Sequence, residues 1–277
     1  MKQLLADGQL VRMFGIGQLY TPKFVEMVGE HGGFDALWID VEHCGLTMAD
    51  IELITMAARY YDLDHFVRQP ATDYAAVMRS LEAGAGGVLA SMVQSPEEAE
   101  QLVRWTKFYP RGERGMNGSN RDGRFGLMPM ADYVAKANAE SFVGVQIETK
   151  RAIDAVREIA AIPDLDLLFV GPADISQAMG VPGDFENPKC LDAIERIAQA
   201  CAEAKVPWGI VPRGNDYAER MRAWGCQLFV IGFDLHIVHA GVRATKEHYG
   251  SFFDRQEGPA VVGPYGAGPD DFDPKNP

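Results

Sequence analysis

The chain has 277 residues, 47% of them hydrophobic and 23% charged, which is enough to bury a full core as one large domain or two small ones. A formal net charge of −13 argues against nucleic acid or an anionic membrane as the main partner, while leaving an anionic small substrate open because a pocket's field is local. Four cysteines, Cys44, Cys190, Cys201 and Cys226, with no CxxC pair, argue against a disulfide framework and for a reducing compartment.

The N-terminal stretch MKQLLADGQLVRMF scatters its charges and lacks the apolar core of a signal peptide. No later run approaches the roughly 18 apolar residues of a membrane helix, so the expectation is a cytoplasmic protein. Apolar runs predict eight strands in chain order, at 11–16, 36–40, 65–68, 87–93, 142–147, 167–170, 208–211 and 228–231. Between them lie helical patterns with apolar residues at three- and four-residue spacing, such as TPKFVEMVGEHG, MADIELITMAARYY, SPEEAEQLVRWTKF, RAIDAVREIAAI and CLDAIERIAQACAEAK. Several open on a capping residue: Thr21 before Pro22, Asp73, and Ser95 before Pro96. Alternating strand and helix means a parallel sheet, and eight such units predict a single closed (β/α)₈ barrel over residues 1–257. An open doubly wound sheet is the structural alternative, without a GxGxxG turn to support it.

Two segments break the rhythm. Pro110 to Pro129 (PRGERGMNGSNRDGRFGLMP) is basic, rich in glycine and too long for a plain connection, which predicts a functional loop or an arm between subunits. Residues 258–277 hold four Gly, five Pro and the acids Asp270, Asp271 and Asp273, and read as a C-terminal tail outside the barrel.

Catalytic groups of such barrels lie at the C-terminal ends of strands. There the sequence offers Asp40, Glu42 and His43 (WIDVEHCG), Arg68 (FVRQP), Gln146 and Glu148 (VQIET), Asp174 (VGPADIS), Arg213 and Asp234. Two facing buried carboxylates, Glu148 and Asp174, repel unless one keeps a proton or a cation lies between them. Oxygen ligands with room for water suit Mg²⁺, Mn²⁺ or Co²⁺. The plainer reading makes both acids first-turn caps of the helices that follow, each contributing about 1 kcal/mol, and spacing alone does not choose.

Taken together, IDVEHCGLT, VRQP, LEAGAGGVLASMVQSPEEAE, YPRGERG, VQIET and VGPADIS resemble, in order and spacing, the class II pyruvate aldolases of the HpcH/HpaI family over about residues 10–245. The resemblance implies a barrel whose last helix is exchanged with a neighbouring subunit, usually in a hexamer, and a divalent metal chelated by pyruvate or its enolate. It implies Glu148 and Asp174 as metal ligands, Arg68 on the keto or enolate oxygen, His43 held by Asp40 as the base dyad, Gln146 beside pyruvate, and the amides of Ala173 and Asp174 as a carboxylate cradle. Glu82 stands where the family has an acid that reaches the next subunit's site. Val41, where a small residue is usual, and the MNGSNRDGRFG stretch after Gly115 depart from the pattern on the aldehyde side.

The expected activity is reversible cleavage of a 4-hydroxy-2-oxo acid into pyruvate, or a close 2-oxo acid, and an aldehyde, through a metal-bound enolate. The alternatives are a malyl- or citramalyl-CoA lyase, kept open by Arg111, Arg114, Arg121 and Arg124, and a catalytically silent barrel that only binds a 2-oxo acid. The predicted strands contain no lysine for Schiff-base chemistry; Lys150, two residues past Glu148, is expected to face solvent. Plainer roles compete for other residues as well. The plainer reading of His43 is a strand-end histidine bonded only to Asp40, that of Arg68 an ion-pair partner of Asp40 or Glu42, and that of His236 and His239 packing or solvated groups. The four tryptophans read as core.

Overall fold

A computed structural model describes residues 1–253, and the tail expected at 258–277 lies outside the described residues. Eight parallel strands close into a barrel in sequence order: β1 Val11–Ile16, β2 Ala36–Asp40, β3 Asp64–Pro70, β4 Gly87–Ser91, β5 Phe142–Ile147, β6 Leu167–Val170, β7 Trp208–Ile210 and β8 Leu228–Phe233. The strand β8 pairs with β1 with a register shift between Met13 and Phe14.

The two-residue period of a strand decides what enters the barrel. Val11, Met13, Ala36, Trp38, Phe66, Leu89, Phe142, Leu167, Phe169, Leu228 and Val230 form the inner cluster. The alternate residues Leu37, Ile39 and Val67, and likewise Val143, Val145, Ile147, Leu168 and Val170, pack outward under the helices. Because Ala36, Trp38 and Asp40 pair in register with Asp64, Phe66 and Arg68, the inward phase of β2 and β3 carries Asp40 and Arg68 to one rim together. On β5 the inward phase is Phe142, Gly144, Gln146 and, one step beyond the strand, Glu148.

The helices are α1 Lys2–Ala6, α2 Pro22–His31, α3 Met48–Tyr60, α4 Tyr74–Glu82, α5 Pro96–Thr106, α6 Met130–Glu140, α7 Lys150–Asp154, α8 Val156–Ala160, α9 Pro172–Ala178, α10 Pro188–Ala204, α11 Asn215–Ala223 and α12 Asp234–His248. The expected caps form: Thr21, Asp73 and Ser95 accept from the amides of Phe24, Ala76 and Glu98. Thr47 and Asp50 add a reciprocal capping box. The single helix expected over 151–162 is two, parted at Ala155 (φ −95°, ψ 11°). The helix α6 was not expected, because only Tyr133 of it is fully buried and the rest carries little apolar period. On α12 only Asp234 is buried, and Ile237, Val238 and Val242 are 42%, 40% and 55% exposed.

The segment 110–129 folds back against this chain. Arg114 is 5% exposed, pairs with Asp122 and lies 4.8 Å from the Phe108 ring centroid, and the Tyr133 hydroxyl donates to Asp122 at 2.6 Å. Arg111 pairs with Glu100 and Asp164. Of the four arginines that kept a CoA site open, these two are therefore spent on intramolecular pairs. Among the described residues no helix is long and apolar enough to cross a membrane.

Candidate active site

The loops at the C-terminal ends of the strands enclose a cavity of about 240 Å³, lined by residues that include Trp38, His43, Arg68, Gln146, Asp174 and Arg213. Its size is below the roughly 300–1,000 Å³ of sites for larger organic ligands, so it suits a short substrate.

Arg68 is 5% exposed and held from three sides. Its Nε donates to Asp40 Oδ1 at 2.8 Å and its Nη2 to Asp40 Oδ2 at 2.7 Å, a bidentate pair, while Nη1 donates to Glu42. The Trp38 ring lies beneath the guanidinium at 5.0 Å. So Trp38, expected only as core, is also the floor of the arginine.

The Asp40 carboxylate is thereby engaged. It meets His43 through the backbone, whose amide donates to Oδ1 at 3.4 Å. The imidazole points elsewhere: its Nε2 lies 3.6 Å from Glu42 Oε2, and the side chain is 66% exposed. The expected side-chain dyad of Asp40 and His43 is not the arrangement seen. The guanidinium offers two parallel donors and outcompetes one imidazole N–H for the same carboxylate.

Glu148 is 2% exposed. Its Oε1 accepts the Met92 amide at 2.7 Å and its Oε2 accepts from the Gln146 amide group. Burial pushes the carboxyl up to about 7, with the charges of Asp174 and Glu42 adding to the rise and the Met92 amide opposing it. Met92 aims its N–H there from a left-handed backbone (φ 56°), which ends β4 at Ser91 two residues before the expected boundary. Nothing in the sequence marks that turn, since a non-glycine at positive φ is fixed by its surroundings.

Gly171 follows β6 in the inward phase, and a Cβ there would stand 2.5 Å from Glu148 Oε2 and 2.8 Å from Gln146 Nε2. Only glycine leaves those two side chains their places. Gln146 is 5% exposed, and its Oε1 is buried with no hydrogen-bond partner. Such an acceptor costs about 1–3 kcal/mol unless a donor arrives, so it is poised for a ligand. Asp174 and Ala173 sit in the first turn of α9, where backbone amides have no acceptor within the helix.

Two other residues near the rim are structural. Asp234 is 2% exposed and accepts from the amides of Gly17, Leu19 and Leu235, tying β8 to the β1 loop. The Cys44 thiol is pushed up to about 11 by burial and by the charges of Asp40 and Asp234, which removes it as a nucleophile. Glu82 lies off this cavity at the end of α4. There burial and Asp122 raise its carboxyl while Arg114 and Asn120 oppose the rise, so it faces the 110–129 segment.

Lys150 is exposed at the start of α7. The lysine that burial does perturb is Lys107, brought down to about 8. It donates to the carbonyls of Asn138 and Ser141, just ahead of β5, and so sits at the opposite end of the barrel from the cavity.

Among the described residues no group of three or more His, Cys, Asp or Glu side chains is arranged to hold a metal ion. The pair Glu148 and Asp174 supplies two hard oxygen ligands. Six to eight is the usual number for calcium and near-octahedral six for magnesium, so substrate oxygens and water must complete the shell of any cation there. The residues fit such an ion: two carboxylates close enough for one to raise the other, and an orphaned amide oxygen beside them.

The profile of the HpcH/HpaI aldolase/citrate lyase family matches residues 18–240. The chain is 34% identical over 232 residues to a 5-keto-4-deoxy-D-glucarate aldolase of Salmonella arizonae, covering 83% of this chain and 89% of that one. It is 29% identical over 238 residues to a hydroxypyruvate/pyruvate aldolase of Delftia acidovorans, covering 86% and 88%. Among solved structures, an HpcH/HpaI aldolase/citrate lyase family protein of Burkholderia cenocepacia superposes with a TM-score of 0.82 at 32% identity, covering 91% of this chain and 98% of the other.

Proposed function

The chain belongs to the HpcH/HpaI aldolase/citrate lyase family, and from that premise we propose that it is a class II aldolase, a carbon–carbon lyase that cleaves and forms 4-hydroxy-2-oxo acids. The products of cleavage are pyruvate, or a close 2-oxo acid, and an aldehyde. The observation that carries the reading is Glu148, a buried carboxylate raised to about 7, beside Asp174 and the orphaned Gln146 oxygen at the strand ends.

Glu148 and Asp174 would hold a divalent cation, Mg²⁺, Mn²⁺ or Co²⁺. When bound, it supplies Lewis-acid polarisation of the 2-oxo group and charge for the substrate carboxylate. The first-turn amides of Ala173 and Asp174 face that carboxylate. Gln146 presents its free acceptor to a substrate hydroxyl or an ordered water. His43, at the open side of the cavity, accepts the C4 hydroxyl proton. As that O–H bond breaks, a carbonyl forms at C4, the C3–C4 bond breaks with its pair becoming the C2–C3 double bond, and the former carbonyl pair moves onto the C2 oxygen. Arg68 meets the oxygen that gains negative charge. Asp40 and Glu42 fix its guanidinium in place beforehand, so no reorganisation is needed when the charge develops. A proton delivered to C3 releases the 2-oxo acid. Trp38 and Phe169 form the floor.

Glu82 is expected to complete a neighbour's site in an oligomer of hexameric type with an exchanged last helix. The exposed apolar face of α12 and the position of Glu82 off its own cavity support this.

The test is metal removal. Dialysis against EDTA should abolish pyruvate aldol addition, and Mn²⁺, Mg²⁺ or Co²⁺ should restore it. Full activity in EDTA sinks the reading.

A further inference from the structure

The 110–129 segment carries two arginines that the pairs of Arg111 and Arg114 do not account for. Arg121 and Arg124 line a second cavity, of about 990 Å³, together with Arg59 from the last turn of α3. This cavity opens at the N-terminal ends of β2 to β5, where Asp35, Leu63, Gly86 and Ser141 lead into the strands. It therefore lies at the opposite end of the barrel from Glu148 and Asp174. Residues at that end ordinarily serve stability. A pair of like charges works against it.

Arg59 and Arg121 are half-buried and meet over Gly84. A Cβ at Gly84 would stand 2.6 Å from Arg59 Nη1 and 3.1 Å from Arg121 Cγ. Gly84 has φ +99°, a conformation that glycine adopts freely, and its missing side chain leaves both arms their room. Arg59 Nη1 donates to the Gly84 carbonyl at 3.3 Å, and Arg121 lies 5.9 Å from the Phe125 ring centroid. Among the described residues neither guanidinium has a carboxylate partner, and nor has Arg124. The acids of the wall are committed elsewhere: Asp35 to Arg12, Asp64 to the Met1 amine, Asp122 to Arg114 and Glu140 to Lys136. Asp62 is exposed and pairs with none of the three arginines. Burial lowers the Arg59 guanidinium from its ordinary value, and the charge of Arg121 lowers it further.

The backbone is bent to bring these groups together. Arg124 and Phe125 both have positive φ, 54° and 57°, and Gly126 follows at 82°. Residues other than glycine enter this region at a cost and stay there where their surroundings hold them. Here the amides of Phe125 and Gly126 donate to the carbonyls of Asn120 and Gly118 at 2.9 and 2.8 Å, and the bend sets the Phe125 ring against Arg121.

We propose that Arg59 and Arg121, with Arg124 at the mouth, form a binding site for a phosphate monoester. Two adjacent guanidiniums without acids repel each other and call for a dianion, and their forked N–H donors fit phosphate oxygens. Stacking spends the face of Arg121 and leaves its edge, where the donors lie. Phe34, Leu63 and Leu81 give the cavity an apolar side for the organic part of the ester, and its volume falls within the range of sites for small organic ligands. The site goes beyond the aldolase reading and shares no residue with it.

Calorimetric titration in chloride buffer with phenyl phosphate and with benzenesulfonate tests this. The probes share a ring, and above the second phosphate pKa of about 6 they differ as dianion against monoanion. Wild type is expected to bind phenyl phosphate about tenfold or more tightly at pH 7.5, with the gap narrowing at pH 5 as the dianion takes up a proton. Inorganic phosphate should bind more weakly than the ester; equal affinity overturns the ester in favour of free phosphate. Arg59→Gln and Arg121→Gln should each weaken phenyl phosphate about tenfold to a hundredfold, the range for charge-assisted hydrogen bonds, and Arg121→Lys should weaken it less. Arg79→Gln, which removes an exposed charge of α4 outside the cavity, should change it little. In chloride alone the Gln variants should melt no lower than wild type, because removing one charge ends the repulsion. The rise in Tm that phenyl phosphate gives wild type should vanish in them. Binding that survives both replacements belongs to another site and overturns the proposal. So does a wild type that binds both probes alike at pH 7.5, or an equal loss in Arg79→Gln. Variants that melt well below wild type in chloride yet keep the phosphate-induced rise would make the two arginines structural.

Discussion

Glu148 makes the metal-free protein's stability a readout of the site. Its carboxyl is raised from the ordinary 4.5 to about 7 in the fold. A raised carboxyl favours the protonated folded state, so its stabilising effect is intact below about 4.5, where folded and unfolded chains both hold the proton. Between about 4.5 and 7 the unfolded chain loses the proton and the folded chain keeps it. Stability falls across that window and levels off above it. A rise of about 2.5 pH units corresponds to roughly 3 kcal/mol at about 1.4 kcal/mol per unit. For a chain of this size that is about 6–10 °C in Tm. The assay is a set of melting scans in EDTA from pH 4.5 to 8 on wild type and Glu148→Gln, which mimics the neutral acid. The variant should match wild type near pH 4.5 and exceed it by several degrees at pH 8, while being inactive with any metal. A difference that stays flat across the window would show that Glu148 is not the desolvated group described here, and the case for a cation beside it would fall.

Other outcomes follow from the same geometry. His43→Ala should lower aldol turnover about 10²-fold or more with metal binding retained, measured as kcat at saturating pyruvate; full activity removes His43 as the base. Borohydride with pyruvate should leave the protein's mass unchanged, and a trapped adduct on Lys150 or Lys107 would mean Schiff-base chemistry instead. Light scattering should find an oligomer, with Glu82→Gln inactive although Glu82 lies off its own cavity; an active monomer refutes the shared site. In double-mutant cycles Asp40→Asn should couple to Arg68→Lys by about 0.5–3 kcal/mol in kcat/KM, the range for contacting residues. It should couple weakly to His43→Ala, and the reverse pattern would restore a side-chain dyad.

Where the site could be read in the sequence, strand period made it readable. An apolar run has a phase, and continuing that phase past the run puts Glu148 inward from Gln146 and Arg68 inward from Phe66. The same phase, with parallel register, brings Asp40 beside Arg68. What was not legible depends on contacts between residues far apart in the chain. The resemblance set the Asp40 carboxylate on His43, three residues on; it pairs with Arg68, 28 residues on, as the plainer reading of Arg68 had it, because a bidentate partner wins, and the sequence alone did not choose between the two. The Met92 amide reaches Glu148 only through a left-handed turn that no local signal announces. Arg213 was visible as a polar residue at a strand end, but its stack on Phe185 joins two loops separated by β7 and a long helix. Tertiary placement also hid α6, whose sequence carries too little apolar period to stand out.

The charges at the rim explain why these pieces belong together. Asp40, Glu42, Glu148 and Asp174 bring four carboxylates to one mouth, and Arg68 and Arg213 bring two guanidiniums. With all of them ionised, two negative charges are left over in a cavity whose floor includes Trp38 and Phe169. An anionic substrate entering that field would be repelled, and the repulsion is severe where the effective dielectric is low. The rise of Glu148 to about 7 is one way the metal-free fold relieves the excess, by holding a proton. It does so only in part, and not above neutral pH. In the proposed reading a divalent cation between Glu148 and Asp174 would bring these groups to neutrality, so the mouth would no longer repel an anion, and the substrate's own oxygens would complete the shell of the ion. The acidic pair would then make the pocket admit an anion only once the cation is present.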